Sequence, residues 1–521
     1  MTRFRNQSEE TEDYGITTQF TPDRFAVREL LALATVGAAF LLQACSTKGG
    51  SEVEQNAIQK ISLGIQGYEY GPAVNKLVVE LENPVSTVET ADVKVQTLSQ
   101  DREVTDAYLS DEKGNETDAK SKYVTLELAT SYNKETFSGL ASPFTYNMEV
   151  FMNQWVKEYP VTISDLTVSG KKLSKEEDAI ANRIIPEADQ FTVRKEFTGT
   201  YLNALKKQEE ELTLNYAAFE PETLQDGKKN PLLIWLHGQG EGGTDINITL
   251  LGNEVTALTR DEIQSQFTAG EEVGAYVLAV QTPTYWMDEG DGTNGVGAGV
   301  SRYTEILMDA IKDYVASNPD VDPNRIYLSG CSNGGYMTLN MAIHYPDYFA
   351  ALVPNAPAYA YYNYEKNEDG TYKRVENKET GRPEAVKLDT VWFDQEKVNK
   401  IKDIPIWFIH SADDTIVLPE NYPLPVYKAL LETGATNTWF SYYESVLGVD
   451  DKGSQYMGHW SWIYYFNNQV SGVQNPADIT GQADLSGYKA NNSNLGGSQK
   501  ATVDGKEFDT VYAWLNAQKK D

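Results

Sequence analysis

A serine hydroxyl becomes a useful nucleophile only where the backbone lifts it clear of its neighbours and a base stands close by. One stretch of this chain has residues suited to that. Asn324 to Tyr336 reads as a short apolar strand, Ile326-Tyr327-Leu328, then the turn Gly330-Cys331-Ser332-Asn333-Gly334, then a helix through Met337, Leu339, Met341 and Ile343 that Pro346 stops. A sharp strand-to-helix turn exposes its serine, and flanking glycines keep other side chains away. The unpaired N–H groups of the new helix point to where an oxyanion would form. Taken alone, the pattern equally fits a glycine-rich turn with a solvated serine.

Other chemistries find little support. The two cysteines, Cys45 and Cys331, have no C-x-x-C spacing, so a thiolate zinc site and a disulfide framework are not expected. Four histidines with no H-E-x-x-H pattern argue against a catalytic metal, and the expectation is no metal and no organic cofactor. Lys and Arg number 44 against 76 Asp and Glu, a net charge of −32 that repels phosphate backbones, so nucleic acid is not an expected partner.

The elements that must position the serine follow along a chain of 521 residues, long enough for two or three domains. Leu30 to Leu42 is an uncharged apolar run, shorter than the roughly 20 residues a spanning helix requires, and reads as a signal-peptide core. It ends in Leu42-Gln43-Ala44-Cys45-Ser46, which resembles the lipobox of bacterial lipoproteins; this implies export, lipidation of Cys45 and a membrane anchor on the extracytoplasmic side. Residues 1–44 are thus read as a signal region and 45–57 as a tether. Residues 58–170 alternate with period two and predict a small β-sandwich, 171–195 a polar linker, and 196–521 alternating strands and helices. Polar insertions are expected at about 358–383 and 471–505.

Pro231 to Leu236 is a continuous apolar strand that delivers His237-Gly238-Gln239-Gly240-Glu241-Gly242-Gly243, and Ile404 to Ile409 is another, ahead of His410-Ser411-Ala412-Asp413-Asp414-Thr415-Ile416-Val417. These motifs resemble the α/β-hydrolase family: a mainly parallel sheet with helices on both faces, here preceded by the β-sandwich. In that family the residues follow the order serine, acid, histidine. His237 and His344 come before any acid, and His410 is read as packing under the acid's turn, which leaves His459 in Gly458-His459-Trp460-Ser461-Trp462. The family's H-G-x-x-D-x-x-V pattern selects Asp414 over Asp413, with Ser411 replacing the glycine. It likewise implies backbone N–H groups of Gln239 and Asn333 as oxyanion donors, Gly240 being a second candidate.

Together the motifs are similar to esterases of the polyhydroxybutyrate-depolymerase, feruloyl-esterase and prolyl-oligopeptidase-like group, some with an immunoglobulin-like N-terminal domain. The resemblance implies a Ser332-His459-Asp414 triad that cleaves carboxylic esters through an acyl-enzyme. Trp286 and Trp460 are candidates for stacking on an aromatic or polysaccharide-linked ester substrate. Competing expectations are a serine peptidase of prolyl-oligopeptidase type and a non-catalytic cell-surface binding protein.

Overall fold

Alternation from Ile58 onward sorts side chains onto two faces. Ile61, Leu63 and Ile65 on the strand Ile58–Tyr68 are buried, as are Leu77, Val79 and Leu81 on Gly71–Val85, and they meet Val161 and Ile163 in one core. In the computed structural model, which describes residues 56–221, 227–376, 378, 383–491 and 495–520, these strands form a two-sheet sandwich. One sheet runs Arg183–Ile184, Ile58–Tyr68, Gly71–Val85, Ser121–Leu128, Val104–Ser110; the other runs Lys171–Glu177, Val161–Val168, Lys94–Thr97, Gln100–Arg102. The apolar run, the lipobox and Cys45 lie outside the described residues.

The expected linker at 171–195 is corrected. Lys171–Glu177 pairs antiparallel with Val161–Val168, and Arg183–Ile184 pairs with the first strand. Lys171–Glu177 is an edge strand with no fully buried side chain, so its charges suit solvent and composition alone made it look like a connector.

Among the described residues, eight strands build the main sheet of the second domain: β1 (Val193–Asn203), β2 (Gln208–Phe219), β3 (Asn230–Leu236), β4 (Tyr276–Gln281), β5 (Val321–Cys331), β6 (Ala351–Asn355), β7 (Ile406–Ser411) and β8 (Thr438–Tyr443). Their spatial order is β1-β2-β4-β3-β5-β6-β7-β8. β1, β2 and β4 pair antiparallel, and every pair from β4·β3 to β7·β8 is parallel. Strands β3, β4, β7 and β8 are buried along their whole length, as required of strands covered on both faces. Helices α1 (Ile246–Gly252), α2 (Thr304–Ser317), α3 (Asn333–His344), α4 (Pro423–Glu432) and α5 (Val511–Ala517) are among those that cover them. The parallel strands all end at one edge, so the loops after β3, β5, β7 and β8 gather there.

The described residues of the two expected insertions are structured. Tyr362–Tyr364 pairs with Lys387–Val391 and Arg374–Glu376 with Pro383–Ala385. The segment near 471–505 is not a mere surface excursion: Gln474 N–H donates to Phe440 O and Tyr442 N–H to Gly496 O, covering the outer edge of β8. An uncovered edge strand would offer its backbone to other chains.

Both domains fall within one compact unit. Glu69 accepts from the backbone N–H groups of Val449 (2.8 Å) and Asp450 (3.0 Å), and Tyr132 N–H donates to Asp451 (2.9 Å). The hairpin Phe144–Asn147/Met152–Trp155 rests on the loop after β3, with Trp155 Nε1–H donating to Asp245 at 2.7 Å.

The sheet's packing generates a direct expectation. Phe408 on β7 is fully buried beside Phe440 and Tyr427. Replacing it with alanine should destabilise this domain by about 3–5 kcal/mol in urea unfolding; a loss below about 1 kcal/mol would contradict the packing described.

Candidate active site

Ser332 sits between β5 and α3 with φ 54° and ψ −111°, a left-handed conformation that costs a non-glycine residue energy. Surrounding backbone holds it there: Ser332 N–H donates to Asn355 O (2.9 Å), while Ser332 O accepts from Tyr336 and Ala358. The turn fits because Gly334 lacks a side chain. A Cβ at that position would lie 2.0 Å from Leu236 O, the end of β3. Close approach of these two backbones brings the serine turn against the loop that begins at His237.

Asp414 follows β7 and has no exposed side-chain surface. Its Oδ1 accepts from the backbone N–H groups of Ile416 (2.8 Å) and Val417 (2.9 Å). Its Oδ2 accepts from His459 Nδ1 at 2.7 Å and stands 3.2 Å from His410 Nε2. Burial alone would raise its pKa, but the His459 charge and the hydrogen bonds from both imidazoles outweigh that and hold the carboxyl well below the usual range. Asp413 differs sharply: its oxygens accept from Ser411 and from Gln455. The acid oriented toward a histidine is therefore Asp414.

His459 lies in the turn Gly458–Trp460 after β8, with the indole of Trp462 edge-on to its ring at 5.2 Å. With Nδ1–H given to Asp414, Nε2 is left free to accept a proton. The structure thus brings His459 and Asp414 into contact, and Ser332 arrives at the same edge of the sheet. Among the described residues no hydrogen bond joins the Ser332 hydroxyl to the imidazole. Free hydrolytic sites commonly show such loose geometry and tighten around substrate.

The remaining histidines are engaged elsewhere. His237 is fully buried; Nδ1–H donates to Gly238 O at 2.6 Å and Nε2 accepts from Thr282 N–H at 3.1 Å, and burial lowers its pKa to about 4. His344 donates to Asn340 O. His410 packs under the acid's turn, donating to Val417 O at 2.9 Å, and also faces Asp414 itself, a contact the sequence did not suggest.

Gln239 and Asn333 each occupy the first position of a helical turn, so neither backbone N–H has an intrahelical acceptor. Their side chains are joined by Asn294. Its Nδ2 donates to Gln239 Oε1 (2.8 Å) and its Oδ1 accepts from Asn333 Nδ2 (2.7 Å), while Asn333 Oδ1 accepts from Met287 N–H. No motif flagged Asn294. Gly240, the second candidate donor, lies in the same turn on the side facing Asn153 and Tyr146 of the N-terminal hairpin.

Of the two tryptophans expected to meet substrate, Trp286 is corrected. Trp286 is fully buried, packed against His237 and edge-on to Tyr303, and has no surface to offer. Trp460 is partly buried, with Tyr132 of the first domain and Tyr456 as its ring neighbours, which makes it part of the domain contact. Near a site rich in aromatic residues, sequence could not separate packing from stacking.

Comparison with known proteins agrees with this architecture. Residues 60–174 match the esterase Ig-like N-terminal domain, and residues 304–457 match the prolyl oligopeptidase family. A segment of 71 residues is 38% identical to poly(3-hydroxyalkanoate) depolymerase C of Paucimonas lemoignei; it makes up 14% of this chain and spans only 16% of that relative. The crystal structure of a thermostable esterase superposes with a TM-score of 0.55 at 22% identity, covering 79% of this chain and 97% of that one. The chain therefore joins an esterase-type immunoglobulin-like domain to an α/β-hydrolase domain, and its site has the parts of a serine hydrolase.

The depressed pKa of Asp414 makes stability depend on pH in a definite sense. A carboxyl whose folded pKa lies below the unfolded value of about 3.9 contributes stability above that value and loses it as pH falls toward the folded pKa. Asp414→Asn should be less stable than the natural protein at neutral pH, and the gap should narrow progressively below about pH 4. Urea midpoints across that range test this; a constant gap would contradict the pairing.

Proposed function

We propose that the protein is an exported, lipid-anchored serine hydrolase that cleaves carboxylic esters through an acyl-enzyme. The observation that carries the reading is the buried Asp414 bonded to His459 Nδ1 at 2.7 Å, at the sheet edge where Ser332 is held in a strained turn. In this account His459 Nε2 removes the Ser332 proton as Oγ attacks the ester carbonyl, with side-chain motion closing the distance between them. The tetrahedral oxyanion is met by the N–H groups of Gln239 and Asn333, and the imidazolium then protonates the leaving alcohol. Water, deprotonated by the same imidazole, releases the acid. Asp414 keeps the imidazole in the tautomer that each step needs.

Ester substrates with an apolar or aromatic part suit the surroundings better than the tryptophans do. Tyr146, Met148, Val150 and Phe151 expose apolar surface at the tip of the N-terminal hairpin, and Tyr146 comes close to Gly240 in the oxyanion loop. The match of residues 304–457 to the prolyl oligopeptidase family supports a second reading, peptide-bond cleavage by the same triad.

A panel of p-nitrophenyl esters, 3-hydroxybutyrate oligomers and aminoacyl-proline amides separates the two. Ester turnover should dominate and fall by at least about 10⁴ in Ser332→Ala, with a loss of similar order in Asp414→Asn because the imidazole tautomer is no longer fixed. Strong amide cleavage with negligible ester turnover would establish the peptidase reading instead. Anchoring is tested by growth with labelled palmitate: label is expected in the natural protein and absent from Cys45→Ala, and label that survives this substitution would overturn the anchor at Cys45.

A further inference from the structure

The proposed reaction gives no part to Glu241, a buried acid inside the oxyanion loop. Glu241 closes the loop after β3, is only 6% exposed, and has no cation paired with it among the described residues. Its Oε1 accepts from Asn153 Nδ2 at 3.1 Å, a side chain supplied by the N-terminal hairpin, and the side chain of Asn253, just beyond α1, packs beside it over Gly238 and favours its charged form. Asn253 then presents Oδ1 on its other side. That oxygen accepts from the Gly238 backbone N–H at 3.3 Å and from the Cys331 thiol at 3.4 Å. Gly238 immediately precedes Gln239, and Cys331 immediately precedes Ser332. One amide therefore ties together the two backbone segments that carry the oxyanion donors. The fit is tight, since a Cβ on Gly238 would lie 2.9 Å from Glu241 Oε2 and one on Gly252 would lie 2.5 Å from its Cγ.

We infer that Glu241 is a positioning residue of the oxyanion hole, which acts through Asn253 to fix the spacing between the Gln239 and Asn333 N–H groups. The inference rests on Ser332 being the nucleophile. Its physical basis is the one-sided chemistry of a carboxylate, which only accepts hydrogen bonds. An ionised Glu241 holds the Asn253 amide with its NH₂ toward the carboxylate and its oxygen toward Gly238 and Cys331. A protonated Glu241 can donate, which allows Asn253 to turn over and set its NH₂ against the Gly238 N–H, donor against donor. The clamp is then lost.

Burial pushes the Glu241 carboxyl up to about 7, against Asn253, Asn153 and the Gly238 backbone, which favour its charge. Ionisation therefore falls in the range where a hydrolase works. The titratable groups that face it are the Tyr146 phenol from the hairpin and the Cys331 thiol from β5, both pushed up by desolvation and neutral throughout. His237, in the same loop, is held neutral, and Asp245 at the start of α1 is turned to Trp155. The clamp is formed above about pH 7 and opens below it. Activity then loses a second proton-dependent factor on the acid side, beyond the one the triad imidazole supplies.

The test is the pH dependence of kcat and KM for an ester, from about pH 5.5 to 9, in the natural protein, Glu241→Gln and Asn153→Ala, with thermal unfolding to confirm folding. The natural protein should show an acid limb steeper than one proton. Glu241→Gln should reduce the slope to one and lower kcat at pH 8 about tenfold, with KM changed less than about threefold. Asn153→Ala, which removes a donor from the carboxylate, should move the limb to higher pH, and it decides the matter alone if Glu241→Gln does not fold. Superimposable acid limbs in the folded variants, or a loss confined to KM, would overturn the role of Glu241. Undiminished hydrolysis by Ser332→Ala would instead overturn the reading of the site itself.

Discussion

A carboxylate with no access to water must find all its partners inside the fold, and Asp414 finds four. Two backbone N–H groups of its own turn take one oxygen and two imidazoles approach the other. The cost of burying an anion is thereby offset by charge-assisted hydrogen bonds, and the direction of His459 is set at the same time. His410 completes the arrangement from below. Its ring is itself locked by Val417 O, and it meets the same carboxylate oxygen that orients the catalytic histidine.

That interaction has meaning only because of where the sheet delivers it. Ser332, Asp414 and His459 follow β5, β7 and β8, parallel strands whose ends share an edge, while the loop after β3 arrives at the same edge from the other side. The approach of Gly334 to Leu236 O allows the serine turn and the oxyanion loop to touch. Two asparagines then bridge them, Asn294 from one side and Asn253 from the other. Preorganised donors of this kind are worth more than mobile ones because they need no reorientation as charge develops. The first domain takes part through Asn153, whose contact with Glu241 couples the sandwich to the oxyanion loop.

Much of this was legible in the sequence, for identifiable reasons. Continuous apolar strands and glycine punctuation revealed the sheet, and the scarcity of histidine allowed His459 to be isolated by elimination. Asp413 and Asp414 are adjacent and identical in type, so only their opposite orientations in the turn distinguish them. Trp286 misled because an indole packs in a core as readily as it stacks on a ligand. The charged strand Lys171–Glu177 was hidden by its edge position, where no apolar face is required. The asparagine bridges left no trace, because a single amide carries neither period nor motif. Glu241 stood in plain view as an acid inside a glycine loop, yet its burial came only with the packing of α1 and the N-terminal hairpin around it.

The most direct measurement is the site of covalent modification by a fluorophosphonate, mapped by mass spectrometry of the digested protein. Only a serine activated by its base reacts. The account predicts one modified peptide, bearing the adduct on Ser332, and its loss when His459 is replaced by alanine. An unmodified Ser332 under conditions that label a known serine hydrolase, or an adduct on another residue, would contradict it.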